Sequence, residues 1–392
     1  MPGAAERSVD VGGSGFHGPS VDDSGAGHCI ARGDRVSSGD RLGTDGAADP
    51  EPILRPSMKQ IRVHGPNDVR LDDIEVPAPG PRDALVRIAA CGICGTDVSY
   101  VHLGGITGRP MALGHEMAGV VEWVGAEVAE AAAGDRVIVH PADDELGRLG
   151  SGAAEGGLTP LLLVREAAKG RRLFPVPDEV PLHVAALAEP LAVGMQAVNQ
   201  AEVEPGDKVA VFGCGPVGLL SIATLIDRGV EDVVGVDPSR ERRELAMQMG
   251  AAHVLDPSAE DVWAELARLH GTAPFVFGPT PATDAFIEAS GSDRVIGEIL
   301  QNGRVGGRMS LVALHYQPVP TNYVMVLMKQ FTVRGSFEYP PRFEDAVELL
   351  ARRDLSGLVT HTMPLEEFDR GLALLAGAKD CGKVMITMGG DR

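Results

Sequence analysis

Aromatic residues make up only 4% of this 392-residue chain. That scarcity argues against a large aromatic surface for a substrate. Basic residues are also in short supply: 35 Lys and Arg face 55 Asp and Glu, a formal net charge of -20. A chain this acidic is a poor partner for nucleic acid or an anionic membrane. No apolar run approaches the length of a membrane span. Cysteine is scarce as well, with five scattered residues, an odd count that offers no disulfide framework. One C-x-x-C occurs, Cys91 to Cys94, and there is no second. A site with four cysteine ligands therefore cannot be built from two such pairs. No internal repeat is present.

What remains is ordinary for a soluble globular protein: 44% hydrophobic and 23% charged residues. The length suits two domains and a large core. Chemistry concentrates in Cys91-Gly92-Ile93-Cys94-Gly95-Thr96-Asp97 and, about twenty residues on, Gly114-His115-Glu116. Thiolate and imidazole suit zinc, and a third protein ligand with an open fourth position makes such a site catalytic. Cys94 and His115 are the candidate metal ligands. Asp97 is placed to orient a ligand from behind, and Thr96 to hold a substrate hydroxyl beside the metal. Cys91 reads as a small buried residue. Zinc needs a reduced thiolate, which, with the odd cysteine count, points to the cytoplasm.

A second constellation lies further along the chain. Lys208 to Phe212 reads as a buried strand and Leu219 to Ile226 as a helix, with Gly213-Cys214-Gly215-Pro216-Val217-Gly218 between them. G-x-G-x-x-G is weak alone, but strand and helix on either side are the context it requires for a dinucleotide. Gly213, Gly215 and Gly218, with Pro216 and Val217 among them, permit the tight turn and the close approach of the pyrophosphate, which rests on the N-terminus of the following helix. A next strand, Asp232 to Val236, ends at Asp237, whose carboxylate can accept from the adenosine ribose hydroxyls. This predicts NAD. Arg240 and Arg243 read as solvated helix-face charges.

Together these motifs resemble the zinc-containing medium-chain alcohol dehydrogenases, with their G-I-C-G-[ST]-D and G-H-E segments, and the resemblance runs from Met58 to the C-terminus. It implies an α/β fold: a GroES-like β-rich catalytic domain over residues 58–189, a Rossmann doubly wound parallel-sheet domain over 190–334, and a return to the catalytic domain over 335–392. It also implies a homodimer or homotetramer, Arg242 beside the ribose, and Val312 to Leu314 along the nicotinamide. Residues 1–57, rich in Gly, Ser, Asp and Ala, carry too little apolar area to fold and are expected to be disordered. His17, His28 and Cys29 within them receive no role.

Three departures from the family pattern matter. Many members carry four cysteines for a structural zinc near residues 140–170, and here there are none. One catalytic zinc and no structural zinc is the expectation. Ala188-Glu189-Pro190-Leu191-Ala192-Val193-Gly194 is similar to the polyol, butanediol and threonine dehydrogenase branches, which makes Glu189 a candidate for binding zinc directly or through its water. Its other reading is a charge at a helix N-terminus, and Glu116 competes for the same role. Many relatives pass the substrate proton from the Thr to a histidine three residues later. That position is Ser99 here, with His102 as either a substitute or a plain loop histidine. Finally, where the sorbitol branch commonly carries F-R-Y, this chain has Phe337-Glu338-Tyr339, which counts against a sugar-alcohol substrate.

The reaction implied is interconversion of a small-molecule alcohol and its carbonyl with hydride transfer to or from NAD. A zinc-dependent sugar dehydrogenase or carbonyl reductase on the same scaffold is the alternative. An NAD-binding regulatory protein without catalysis would need none of Cys94, Thr96, Asp97, His115 and Glu116.

Overall fold

In the computed structural model, residues 57–106, 110–143, 145, 147–168, 170–377 and 381–389 are described. The expected disorder of the N-terminal segment lies outside them, except for Ser57, which opens the first strand.

Alternating strands build the N-terminal part. β1 (Ser57–Gly65) and β2 (Asp68–Glu75) form an antiparallel hairpin, the turn made by Pro66 and Asn67, and β4 (Met111–Ala112) completes that sheet. A seven-stranded sheet is centred on β3 (Ala84–Ile93), with β5 (Glu116–Val124), β6 (Arg136–Val139), β7 (Leu161–Val164) and β8 (Leu173–Pro175). β3 runs straight into helix α1 (Gly95–Leu103). The sequence hides this helix, because a glycine opens it and it holds few strong helix formers. After a short α2 (Leu182–Ala185) comes α3 (Ala188–Gln200), apolar on most sides and buried on most sides.

The middle of the chain alternates strand and helix. β9 (Lys208–Phe212), α4 (Pro216–Asp227), β10 (Asp232–Val236), α5 (Arg240–Met249), β11 (His253–Leu255) and α6 (Val262–His270) come first. Next is a small pair, β12 (Thr272–Ala273) with β13 (Thr280–Pro281), for which the sequence carries no evident signal. Then come β14 (Ala285–Glu288), α7 (Asp293–Asn302), β15 (Arg308–Leu311), α8 (Tyr323–Lys329) and β16 (Thr332–Gly335). The six long strands form one parallel sheet in the order β11-β10-β9-β14-β15-β16. This is the doubly wound order whose reversal between β9 and β14 opens a crevice at the carboxyl ends of the strands. After its first residue, a strand such as Lys-Val-Ala-Val-Phe is apolar and buried because helices cover both faces.

The chain then returns through α9 (Glu344–Arg352), β17 (Val359–Pro364) and α10 (Phe368–Gly377) to β18 (Lys383–Thr387), which pairs antiparallel with β3 in the first large sheet. Thr332–Gly335 is the edge strand of the parallel sheet, and the chain leaves it at Ser336. One core runs between the two sheets. Ala118, Ile138 and Phe174 of the first pack with Leu191 and Met195 of α3, Ile222 of α4 and Phe343. No helix among the described residues is long and apolar enough to cross a membrane.

Candidate metal centre and cofactor cleft

Two strands deliver the metal donors, and a third backs one of them. β3 ends at Ile93, so Cys94 becomes the N-cap of α1, and Asp97, three residues on, reaches back to accept the Cys94 N–H at 2.8 Å. This is a capping arrangement, and it is why a carboxylate follows the cysteine at that spacing. β5 pairs with β3 so that Glu116 faces Gly92. Only a glycine fits there, since a Cβ on Gly92 would lie 1.9 Å from Glu116 Oε2. β18 flanks β3 on the other side, with Val384 opposite Ile93, and brings Lys383 to Glu116: Nζ donates to Oε1 at 2.5 Å and to the Ile93 carbonyl at 3.3 Å.

The donor atoms of Cys94, His115 and Glu116 all lie within 4.8 Å of one another. His115 Nδ1 faces Asp97 Oδ1 at 3.6 Å. Cys94 Sγ is 3.5 Å from Thr96 Oγ1. Three buried polar atoms here have no hydrogen-bond partner: Asp97 Oδ1, His115 Nδ1 and Glu116 Oε2. Thiol, imidazole and carboxylate converging in a buried, acid-rich pocket fit a borderline-soft divalent cation such as zinc. Burial pushes the Asp97 carboxyl above its usual range against the pull of His115 and the Cys94 N–H. Burial works against charge on His115 too, but Asp97, Cys94 and Glu189 outweigh it and hold the imidazole well above its ordinary value.

Glu189 stands in the first turn of α3, buried, and its Oε1 accepts the Tyr339 hydroxyl at 2.7 Å. Burial raises its carboxyl, with Glu116 adding and His115 opposing. It is not one of the three clustered donors. Ser99 Oγ is engaged with the Gly95 carbonyl at 3.2 Å. His102 lies in the last turn of α1 and is exposed, so the plain loop histidine is corrected to a helical one. Cys91 is fully buried, its thiol pushed up by burial, and stands apart from the donor cluster.

The glycine turn closes the cofactor cleft. Gly213 has φ of +92° and sits against the Ser290 backbone, and a Cβ on Gly218 would lie 1.9 Å from the Gly213 carbonyl oxygen. Gly215 caps α4, with Pro216 and Val217 as its first residues. Asp237, 4% exposed, accepts the Cys214 N–H through Oδ2 and the Ser239 N–H through Oδ1, both at 2.8 Å. A carboxylate has about four acceptor positions, so each oxygen keeps one for a ligand. A cleft of about 470 Å³ opens here, lined by Gly213, Gly215, Asp237, Arg242 and Ser292 among others. Arg242 Nε donates to the Cys381 carbonyl at 3.3 Å, two residues before Lys383. Val312 is half-buried and Leu314 54% exposed on the loop that leaves β15 at the same edge of the sheet. Arg240 is exposed as expected. Arg243 is not a solvated charge: it holds the Asp237 and Pro238 carbonyls and pairs with Asp256.

Sequence reasoning missed Lys383, Tyr339 and the cations of the 140–172 lobe. Lys383 carried a faint signal, a lone cation at the head of the apolar run Val384-Met385-Ile386. In the lobe, Arg172 is 2% exposed and donates to the carbonyls of His140, Pro141 and Gly147 at 3.3, 3.0 and 3.0 Å. Arg171 pairs with Asp143 and Glu145.

Residues 80–178 match the alcohol dehydrogenase GroES-like domain, and residues 216–352 match the zinc-binding dehydrogenase domain. The chain is 31% identical to the (R,R)-butanediol dehydrogenase of Bacillus subtilis over 84% of its own length and 99% of that protein's. It is 31% identical to the sorbitol dehydrogenase of Homo sapiens over 82% of its own length and 95% of that protein's. Its backbone superposes on the crystal structure of the Bacillus subtilis 2R,3R-butanediol dehydrogenase with a TM-score of 0.76, covering 85% of this chain and all of that one. With the glycine turn, the parallel sheet and the Cys94–His115–Glu116 cluster in agreement, the chain belongs to the zinc-containing medium-chain alcohol dehydrogenase family.

Proposed function

We propose that this protein uses one zinc ion and NAD to interconvert a secondary alcohol, vicinal diol or polyol and its carbonyl. The observation that carries the reading is the cluster of half-buried Cys94 with buried, partly unpartnered His115 and Glu116. Cys94, His115 and Glu116 hold the metal, Asp97 orients His115 from behind, and Lys383 orients Glu116. Glu189 is steadied by Tyr339. When bound, zinc supplies Lewis acidity toward the substrate oxygen and NAD supplies the hydride acceptor. Thr96 holds the substrate hydroxyl and moves its proton outward. Ser99 is committed to a backbone carbonyl, which leaves His102, water or the cofactor ribose to take that proton on.

Gly213, Gly215, Pro216, Val217 and Gly218 cradle the pyrophosphate, Asp237 takes the ribose with Arg242 beside it, and Val312 to Leu314 line the nicotinamide. One zinc suffices because the lobe built around Arg171 and Arg172 is held by ion pairs and carbonyl bonds. The protein works in the cytoplasm as a homodimer or homotetramer. Four free cysteines among the described residues support a reducing compartment. The test is a panel of secondary alcohols, vicinal diols and polyols followed by NADH absorbance. Turnover lost on chelation and restored by zinc supports the reading, and turnover that chelation leaves intact refutes it.

A further inference from the structure

A second cleft, about 500 Å³, opens between the 140–172 lobe and the segment after β16. Its walls include His140, Asp143, Glu145, Arg171, Glu338 and Tyr339. Tyr339 links it to Glu189: its ring packs edge-on against His140 at 4.8 Å, and its hydroxyl donates to Glu189 Oε1 at 2.7 Å.

The charges around this cleft are already committed. Arg171 spans Asp143 and Glu145, at 2.6 and 2.8 Å. Arg148 reaches across from the lobe and places two N–H groups on Glu338 Oε1, Nε at 2.8 Å, while its guanidinium lies 5.9 Å from the centre of the Phe337 ring. Glu338 is held toward Arg148 by a left-handed backbone, φ +59°. Arg172 also approaches Asp143, at 4.0 Å, so three carboxylates meet three guanidinium groups and each guanidinium has an acid partner. His140 adds no charge, since burial keeps its imidazole below the ordinary value. Among the described residues, an incoming anion meets the Glu338 carboxylate and no guanidinium without an acid partner. A neutral hydroxyl-bearing chain finds acceptors.

We propose that Glu338, paired with Arg148 at the mouth of this cleft, is a specificity-determining residue that rejects alcohols carrying a phosphate or carboxylate and admits uncharged ones. The proposal rests on the alcohol dehydrogenase reading and adds the charge class of the substrate. Juxtaposed like charge is the repulsive half of specificity, and a charge on a rim acts through encounter and salt dependence.

The test compares sorbitol and 2,3-butanediol with their phosphate monoesters. For each pair, kcat/KM, or Ki where the ester is not turned over, is measured in wild type, Glu338→Gln and Arg148→Gln at low and high salt. The readout is the ratio of neutral to anionic affinity. Glu338→Gln removes a carboxylate and frees Arg148, so the ratio falls, by about fivefold for a partly exposed pair. Arg148→Gln leaves Glu338 unpaired, so the ratio rises. Both shifts shrink at high salt. Loss of a merely structural latch would move the two variants in the same direction. Ratios that move together, or do not move, overturn the proposal while leaving the alcohol dehydrogenase reading standing. If zinc-loaded wild type oxidises no alcohol of the panel, that reading fails and takes the proposal with it.

Discussion

Lys383 Nζ lies 2.5 Å from Glu116 Oε1, and neither side chain is more than 3% exposed. The two are 267 residues apart and meet because β18 and β5 both flank β3. The pair distinguishes the two oxygens of Glu116: Oε1 is taken by the ammonium, and Oε2 is buried without a partner.

Replacing Lys383 with Met leaves Glu116 buried and uncompensated. Breaking one side of a buried pair costs about 3–5 kcal/mol. The urea midpoint of Lys383→Met is expected to fall accordingly, and its zinc to be lost more readily on dialysis. A variant with wild-type midpoint and wild-type zinc retention would show that the pair matters to neither.

The lobe around residues 140–172 gives a second outcome. Arg172→Ala strips the carbonyls of His140, Pro141 and Gly147 of a buried charged donor. Hydrogen bonds to charged groups contribute about 1.5–3 kcal/mol each at most. Loss of several kcal/mol with zinc content unchanged is expected, the lobe becoming the first site of proteolysis. A parallel loss of metal would contradict a lobe held without it.

The parts legible in the sequence were those whose partners lie close along the chain. Cys94, Thr96 and Asp97 share one helical turn, His115 and Glu116 are neighbours, and the glycine turn sits between its own strand and helix. The rest depended on strand order. Nothing local to Lys383 points at Glu116, and nothing local to Tyr339 points at Glu189, 150 residues away. The choice between Glu116 and Glu189 was closed to sequence for the same reason, because it turns on which carboxylate lies beside both Cys94 and His115. Arg243 misled because a helix-face charge and a charge folded back onto the Asp237 carbonyl have the same periodicity.

His315 gives a pH dependence away from the metal. Its ring bridges Glu288 of β14 at 2.9 Å and Asp293 of α7 at 2.8 Å, tying down the loop that carries Val312 and Leu314. Burial opposes its charge, but the two carboxylates win and raise its pKa above the ordinary value of 6.5. A raised histidine gives stability that is complete below about 6.5 and lost as pH rises through the folded value. Wild type is therefore expected to lose melting temperature relative to His315→Gln as pH climbs from 6 to 9 (about three units), with KM for NAD rising over the same window. Parallel curves for the two proteins would exclude the clamp.

Asp237 should give a preference for NAD over NADP of at least about tenfold, since the 2′-phosphate removes a donor to a charged acceptor. The same carboxylate holds the Cys214 and Ser239 N–H groups. Asp237→Ala is thus expected to weaken both cofactors, NAD more than NADP. The comparison is kcat/KM with each cofactor. Equal wild-type values, or a mutant that weakens neither, would contradict the assignment.

The central claim is a single zinc held by Cys94, His115 and Glu116. It is tested most directly by elemental analysis of the purified chain and of Cys94→Ser, alongside alcohol-dependent NAD reduction. The account predicts about one zinc per chain in wild type, the number of catalytic sites the fold provides, with zinc and turnover lost together in the variant. Two zinc ions per chain, or a Cys94→Ser protein that keeps its metal and its rate, would contradict it.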